Sequence, residues 1–117
     1  MLMRKVLVIV NSEDLQVALR DALSADWDVT VCGDAAVGTA LIRQGFDTLV
    51  LDLFLPGIDG LTFLKIAEAY LPAHIVALTT LVNQHILRVL SDLGVGCVLL
   101  KPCSVSRIVQ YLEETQR

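Results

Sequence analysis

Thr48-Leu49-Val50-Leu51-Asp52-Leu53-Phe54-Leu55-Pro56-Gly57-Ile58-Asp59-Gly60 is the stretch on which the fold turns. A short aliphatic run leads into one carboxylate, a Leu-Pro-Gly turn follows, and a helical pattern begins at Gly60. An apolar run of this length, bounded by Pro and Gly, reads as a buried strand. Strands that are apolar on both faces belong to parallel sheets covered on both sides. Ligands of open α/β sheets bind beyond the carboxyl ends of the strands, so Asp52 is expected at the ligand edge.

Working outward, the same unit recurs. Val6 to Val10 is a first β-branched strand, and Asn11-Ser12-Glu13-Asp14 offers capping residues for a helix running to about Ser24. Leu15, Ala18, Leu19, Ala22 and Leu23 recur at helical spacing and are expected to face inward. Val29 to Cys32 is a second strand, followed by a helix from Ala35 to about Gln44 with Ala36, Ala40 and Leu41 inward, closed by Gly45. Beyond Asp52, a helix from Gly60 to about Tyr70 buries Leu61, Leu64 and Ala67 and stops before Pro72. Ile75 to Thr79 is the fourth strand, Asn83 caps a helix over Gln84–Leu93, Cys97 to Leu100 is the fifth strand, and Ser104 caps a last helix to about Thr115. Strict strand–helix alternation builds a parallel sheet with helices on both faces, a doubly wound α/β fold.

Composition agrees with one domain over residues 1–117, either standing alone or forming the front of a longer protein. Apolar residues make up 55% of the chain and charged residues 19%, enough for a real core. The net charge is -4 and no basic run occurs, which argues against direct nucleic-acid binding by this domain. Cys32, Cys97 and Cys103 are odd in number and lack Cys-x-x-Cys spacing, so neither a disulfide framework nor a zinc site is expected, and a reducing cytoplasm is. His74 and His85 have no ligand spacing and are expected at the surface or a strand edge. No apolar run approaches a membrane span.

At the carboxyl edge the strands present Val10-Asn11, Asp52, Thr79-Thr80 and Lys101. A carboxylate, hydroxyls and an ammonium brought together suit phosphoryl transfer to the carboxylate, because aspartate can act as a nucleophile. The incoming group carries charge on three oxygens, and its transfer depends mainly on placement and charge neutralisation. Lys101 can pair with one oxygen and Thr79 can hydrogen-bond another. The plainer alternative is that Lys101 only neutralises Asp52 and Thr79 only ends a strand.

Leu51-Asp52-Leu53 with Leu55-Pro56-Gly57-Ile58-Asp59-Gly60, Leu78-Thr79 and Leu100-Lys101-Pro102 resemble, in order and spacing, the receiver domain of two-component response regulators, the CheY-like proteins. The resemblance spans essentially the whole chain. It implies a five-stranded sheet in the order 2-1-3-4-5 with five helices, the flavodoxin/CheY-like arrangement. It implies that Asp52 is phosphorylated by a sensor histidine kinase or a phosphotransfer protein, and that Thr79, Thr80 and Lys101 surround the phosphoryl group. It further implies a cis peptide between Lys101 and Pro102. Enzymatic activity beyond self-phosphorylation and self-dephosphorylation at Asp52 is not expected.

Several positions depart from the family pattern. Receivers usually carry two acidic residues after the first strand that hold magnesium with the acceptor. Here those positions are Val10 and Asn11, so the metal set shrinks to Asp52 and the neutral carbonyl of Asn11. Magnesium takes oxygen ligands and usually one or two carboxylates. Loss of two carboxylates is expected to weaken its binding by well over about tenfold, unless Glu13 or Asp14 substitutes. Thr80 is bulkier than the usual residue there, Val98 stands where an aromatic switch is usual, and Cys103 replaces an apolar residue.

Two functions therefore compete: a phosphorylation-switched receiver controlling an output such as transcription, and a degenerate pseudo-receiver serving as a phosphorylation-independent interaction or dimerisation module. A flavodoxin-like cofactor binder is set aside, because Asn11-Ser12-Glu13-Asp14 carries two acids where a phosphate-cradling loop would lie. A homodimer is expected through the fourth helix, fifth strand and fifth helix, with Ile86, Leu90, Val98, Ile108 and Tyr111 supplying apolar contacts and Arg88, Asp92, Arg107 and Glu113 around them.

Overall fold

The computed structural model describes residues 3–115. Strands β1 (Arg4–Ile9), β2 (Trp27–Cys32), β3 (Thr48–Asp52), β4 (His74–Thr79) and β5 (Cys97–Leu100) alternate with helices α1 (Glu13–Leu23), α2 (Ala35–Leu41), α3 (Gly60–Ile66), α4 (Gln84–Asp92) and α5 (Val105–Glu114). Short 3-10 turns, Ile42–Gln44 and Glu68–Tyr70, extend α2 and α3. All strand pairs are parallel and the order is β2-β1-β3-β4-β5, the doubly wound arrangement expected.

Side chains of a strand alternate between faces, and the sheet sorts its aliphatics accordingly. Leu7, Ile9, Leu49, Leu51, Ile75 and Ala77 pack with Ala35, Ile42, Phe63, Leu64 and Leu90 on the α2–α3–α4 side. Val6, Val8, Val10, Val50, Val76 and Leu78 pack with Leu19, Leu23, Ile108 and Leu112 on the α1–α5 side. Each helix starts at a side-chain cap: Ser12, Asp34, Asp59, Asn83 and Ser104 each accept a backbone N–H three residues ahead.

Three expectations change. Ala36 and Ala40 are exposed, and α2 instead turns Ala35 and Gly38 to the core, followed by Ile42 of the 3-10 turn. The cause is Gly38: a Cβ there would lie 2.6 Å from Ile9 Cδ1 and 3.2 Å from Phe63 Cε1, so the bare backbone lets the helix sit close against the sheet. Ala22 is exposed as well, leaving Leu19 and Leu23 as the buried residues of α1. Finally, Leu90 and Ile108, expected on a partner face, are only 1% and 0% exposed. They belong to the two cores because α4 and α5 each turn one apolar stripe to the sheet, so they offer no surface.

Candidate functional site

Asp52 ends the central strand β3 and is 3% exposed. Its position in the alternation places it with Val50 on the α1–α5 side. There it meets Lys101, which follows β5: Nζ donates to Asp52 Oδ2 at 2.5 Å, with the Lys101 side chain 28% exposed. The other carboxylate oxygen, Oδ1, accepts the backbone N–H of Phe54 at 2.9 Å.

The turn beyond Asp52 is shaped by glycine. Gly57 has φ +75, a conformation that side chains disfavour. Gly60 donates its N–H to the Leu53 carbonyl at 3.0 Å. A Cβ on Gly60 would lie 2.6 Å from Leu53 Cα and 2.9 Å from the Asp52 carbonyl oxygen, so only glycine allows the chain to fold back this tightly. The Lys101-Pro102 peptide is cis.

A cavity of about 550 Å³ opens beside Asp52 and Lys101. Its walls come from Ser12, Asp14, Leu15 and Ala18 at the start of α1 and from Leu78, Thr80, Cys103 and Val105. Burial pushes the Cys103 thiol upward, the Lys101 charge pulls it down, and the Asp52 charge pushes it up again. Thr79 is not part of this lining. Its hydroxyl accepts from the Leu81 N–H at 3.2 Å and donates to the Leu81 carbonyl at 3.1 Å. It lines a second groove of about 310 Å³ with Leu53, Phe54, Thr80, Leu81 and Ile86. Asp52 and Lys101 are thus brought together, with exposed Thr80 on the wall of the same cavity, while the Thr79 hydroxyl is bonded to the Leu81 backbone instead.

The profile described as the response regulator receiver domain matches residues 6–113. The chain belongs to the response regulator receiver family. This receiver is 30% identical over 113 residues to protein-glutamate methylesterase/protein-glutamine glutaminase 2 of Hahella chejuensis, covering 93% of this chain and 31% of that protein. It is 53% identical over 38 residues to the transcriptional activator protein PfeR of Pseudomonas aeruginosa, covering 32% of this chain and 12% of PfeR. The receiver spans about a third of the methylesterase relatives it matches. Among solved structures it resembles the CheY-like receiver of Methanospirillum hungatei, with TM-score 0.87, 17% identity and 97% and 94% of the two chains covered. It also resembles the chemotaxis protein CheY4 of Vibrio cholerae, with TM-score 0.80, 21% identity and 97% and 98% covered. At these identities the structural likeness bears on the fold alone.

Receivers generally bind magnesium, and the donor set of this receiver does not fit it. Both oxygens of Asp52 are engaged. Val10 is a buried alkyl group, and its carbonyl accepts the side-chain amide of Gln16 at 2.7 Å. Asn11 is exposed and lies outside the cavity lining, as does Glu13; of the two candidate substitutes only Asp14 lines the cavity. Among the described residues, no group of three or more His, Cys, Asp or Glu side chains is placed to hold a metal ion. Cys103 and Asp14 line the cavity beside Asp52 without a motif that marks them in the sequence.

Proposed function

We propose that this receiver accepts a phosphoryl group on Asp52 and passes the resulting change to an output. The observation that supports this most is the buried Asp52 carboxylate, held against Lys101 at the carboxyl edge of the sheet and facing a cavity. The donor is a phosphohistidine of a sensor kinase or phosphotransfer protein, the partners that receivers generally engage. An Asp52 oxygen bonds to phosphorus as the nitrogen–phosphorus bond breaks, and the electron pair leaves with the imidazole nitrogen. Lys101 moves from the carboxylate to a phosphoryl oxygen, and Thr80, on the wall of the same cavity, supplies another hydrogen bond. Thr79 reaches the group only by leaving its bonds to Leu81.

Transcription control is one output on this reading, as the printed role of PfeR suggests. Three free cysteines fit a cytoplasmic setting. Two copies would meet on the α4–β5–α5 face. Incubation with acetyl phosphate, followed by intact mass measurement, tests the assignment. One added phosphoryl group, abolished by Asp52→Ala, is the expected result. An unchanged mass would leave the chain as an interaction module that works without phosphate.

A further inference from the structure

We propose that Lys101 is the resident countercharge of this site, and that Asp52 accepts a phosphoryl group without a divalent cation. This rests on the reading of Asp52 as acceptor. Three observations converge on it. A cation approaching Asp52 meets the Lys101 ammonium already 2.5 Å from Oδ2, so its attraction to the carboxylate is largely cancelled by repulsion from the lysine. Oδ1 is committed to the Phe54 N–H. The positions after β1 supply no carboxylate: Val10 is a buried alkyl group, and Asn11 is exposed and outside the cavity lining. Asp14 remains as the single acid on the cavity wall without a countercharge in it, too little to draw a dication into this setting.

With acetyl phosphate as donor, an Asp52 oxygen–phosphorus bond forms, the bond from phosphorus to the acetyl oxygen breaks, and acetate leaves with the electron pair. Lys101 stays protonated and shifts from carboxylate to phosphoryl oxygen. The test follows labelling of the wild-type chain by mass, once in EDTA and once with about 10 mM magnesium chloride. Rates equal to within about twofold are expected; labelling that requires magnesium overturns the proposal. A calorimetric titration of magnesium chloride into the wild-type chain decides independently of labelling. Saturable binding with Kd below about 1 mM overturns the proposal; its absence together with labelling in EDTA supports it, and a chain that neither binds magnesium nor is ever labelled overturns the acceptor reading and the metal-free transfer with it, leaving only the exclusion of the cation. Lys101→Gln, which keeps the aliphatic stem, is expected to gain measurable magnesium binding. If the folded variant stays as inert as wild type, Lys101 is not what keeps the cation out and the proposal falls.

Discussion

Thr79 and Thr80 are neighbours in the chain and both line the groove beside Leu81, but only Thr80 also lines the Asp52 cavity, while the Thr79 hydroxyl is tied to the Leu81 backbone. Thr80→Val keeps the bulk and removes the hydroxyl. It is expected to slow acetyl-phosphate labelling by about three- to tenfold, the loss of one hydrogen bond to a charged group. Thr79→Val should leave the rate within about twofold and instead cost about 1 kcal/mol of stability through the lost turn bonds. Labelling rates and urea midpoints of both variants check the assignment, and the reverse pattern would refute it.

The Asp52–Lys101 pair has one buried and one part-exposed member. Removing the lysine leaves a carboxylate without its counterion in a poor solvent for charge. Breaking a fully buried pair costs roughly 3–5 kcal/mol, and screening at the exposed lysine lowers the expected loss for Lys101→Ala to about 2 kcal/mol. Asp52→Asn keeps an acceptor for the Phe54 N–H and is expected to cost less, about 1 kcal/mol. A Lys101→Ala loss no larger than that of Asp52→Asn in urea denaturation would refute this ranking.

A Cβ added at Gly60 or at Gly38 would come within 2.6 Å of a neighbouring atom, but the atoms differ. At Gly60 the obstacles are the backbone of Leu53 and Asp52; at Gly38 they are the end of Ile9 and the ring of Phe63. Backbone yields less than a terminal methyl. Gly60→Ala should cost about 3 kcal/mol and depress Asp52 labelling, whereas Gly38→Ala should cost about 1 kcal/mol and leave labelling intact. Denaturant midpoints rank the two.

Burial pushes the Cys32 thiol from its ordinary 9.0 up to about 11, with a backbone hydrogen bond of Asp34 pulling it down and the Asp34 charge pushing it up. The unfolded chain therefore releases this proton at a lower pH than the folded one. Between those two values the folded state holds more protons, so stability falls as pH rises. The contribution is complete below 9.0 and is lost as pH passes about 11. Urea midpoints from about pH 8 to about pH 11 should drop less steeply in Cys32→Ala than in wild type; parallel curves would reject the assignment.

With Leu90 and Ile108 in the core, a symmetric dimer on the α4–β5–α5 face must rely on half-buried Ile86, Val98 and Tyr111 and on exposed Leu87 and Leu100. Leu100→Glu is expected to give a monomer by light scattering while changing stability by less than about 0.5 kcal/mol. A wild-type chain that is monomeric at high concentration removes the dimer.

Strand and helix order was legible because parallel strands buried on both faces write themselves as continuous aliphatic runs, and because Pro, Gly and capping residues punctuate them. Asp52 at the ligand edge followed from the same pattern. The alternation that sends Val76 and Leu78 to one face and Ala77 to the other was also present once β4 was given its register. The inward stripe of α2 was misread because alanine is apolar at any position, whereas the contact that sets the stripe is an absence of side chain at Gly38.

Local pattern determined the elements, their order and the place of the carboxylate, since periodicity and turn chemistry act over a few residues. Only the folded chain decided which groups meet there. Lys101 and Asp52 are 49 residues apart, Gln16 reaches the end of β1 from a helix, and Asp14 rather than Glu13 faces the cavity. Distances of 2.5 and 2.7 Å between such groups depend on crossovers and helix rotation that no single stretch encodes.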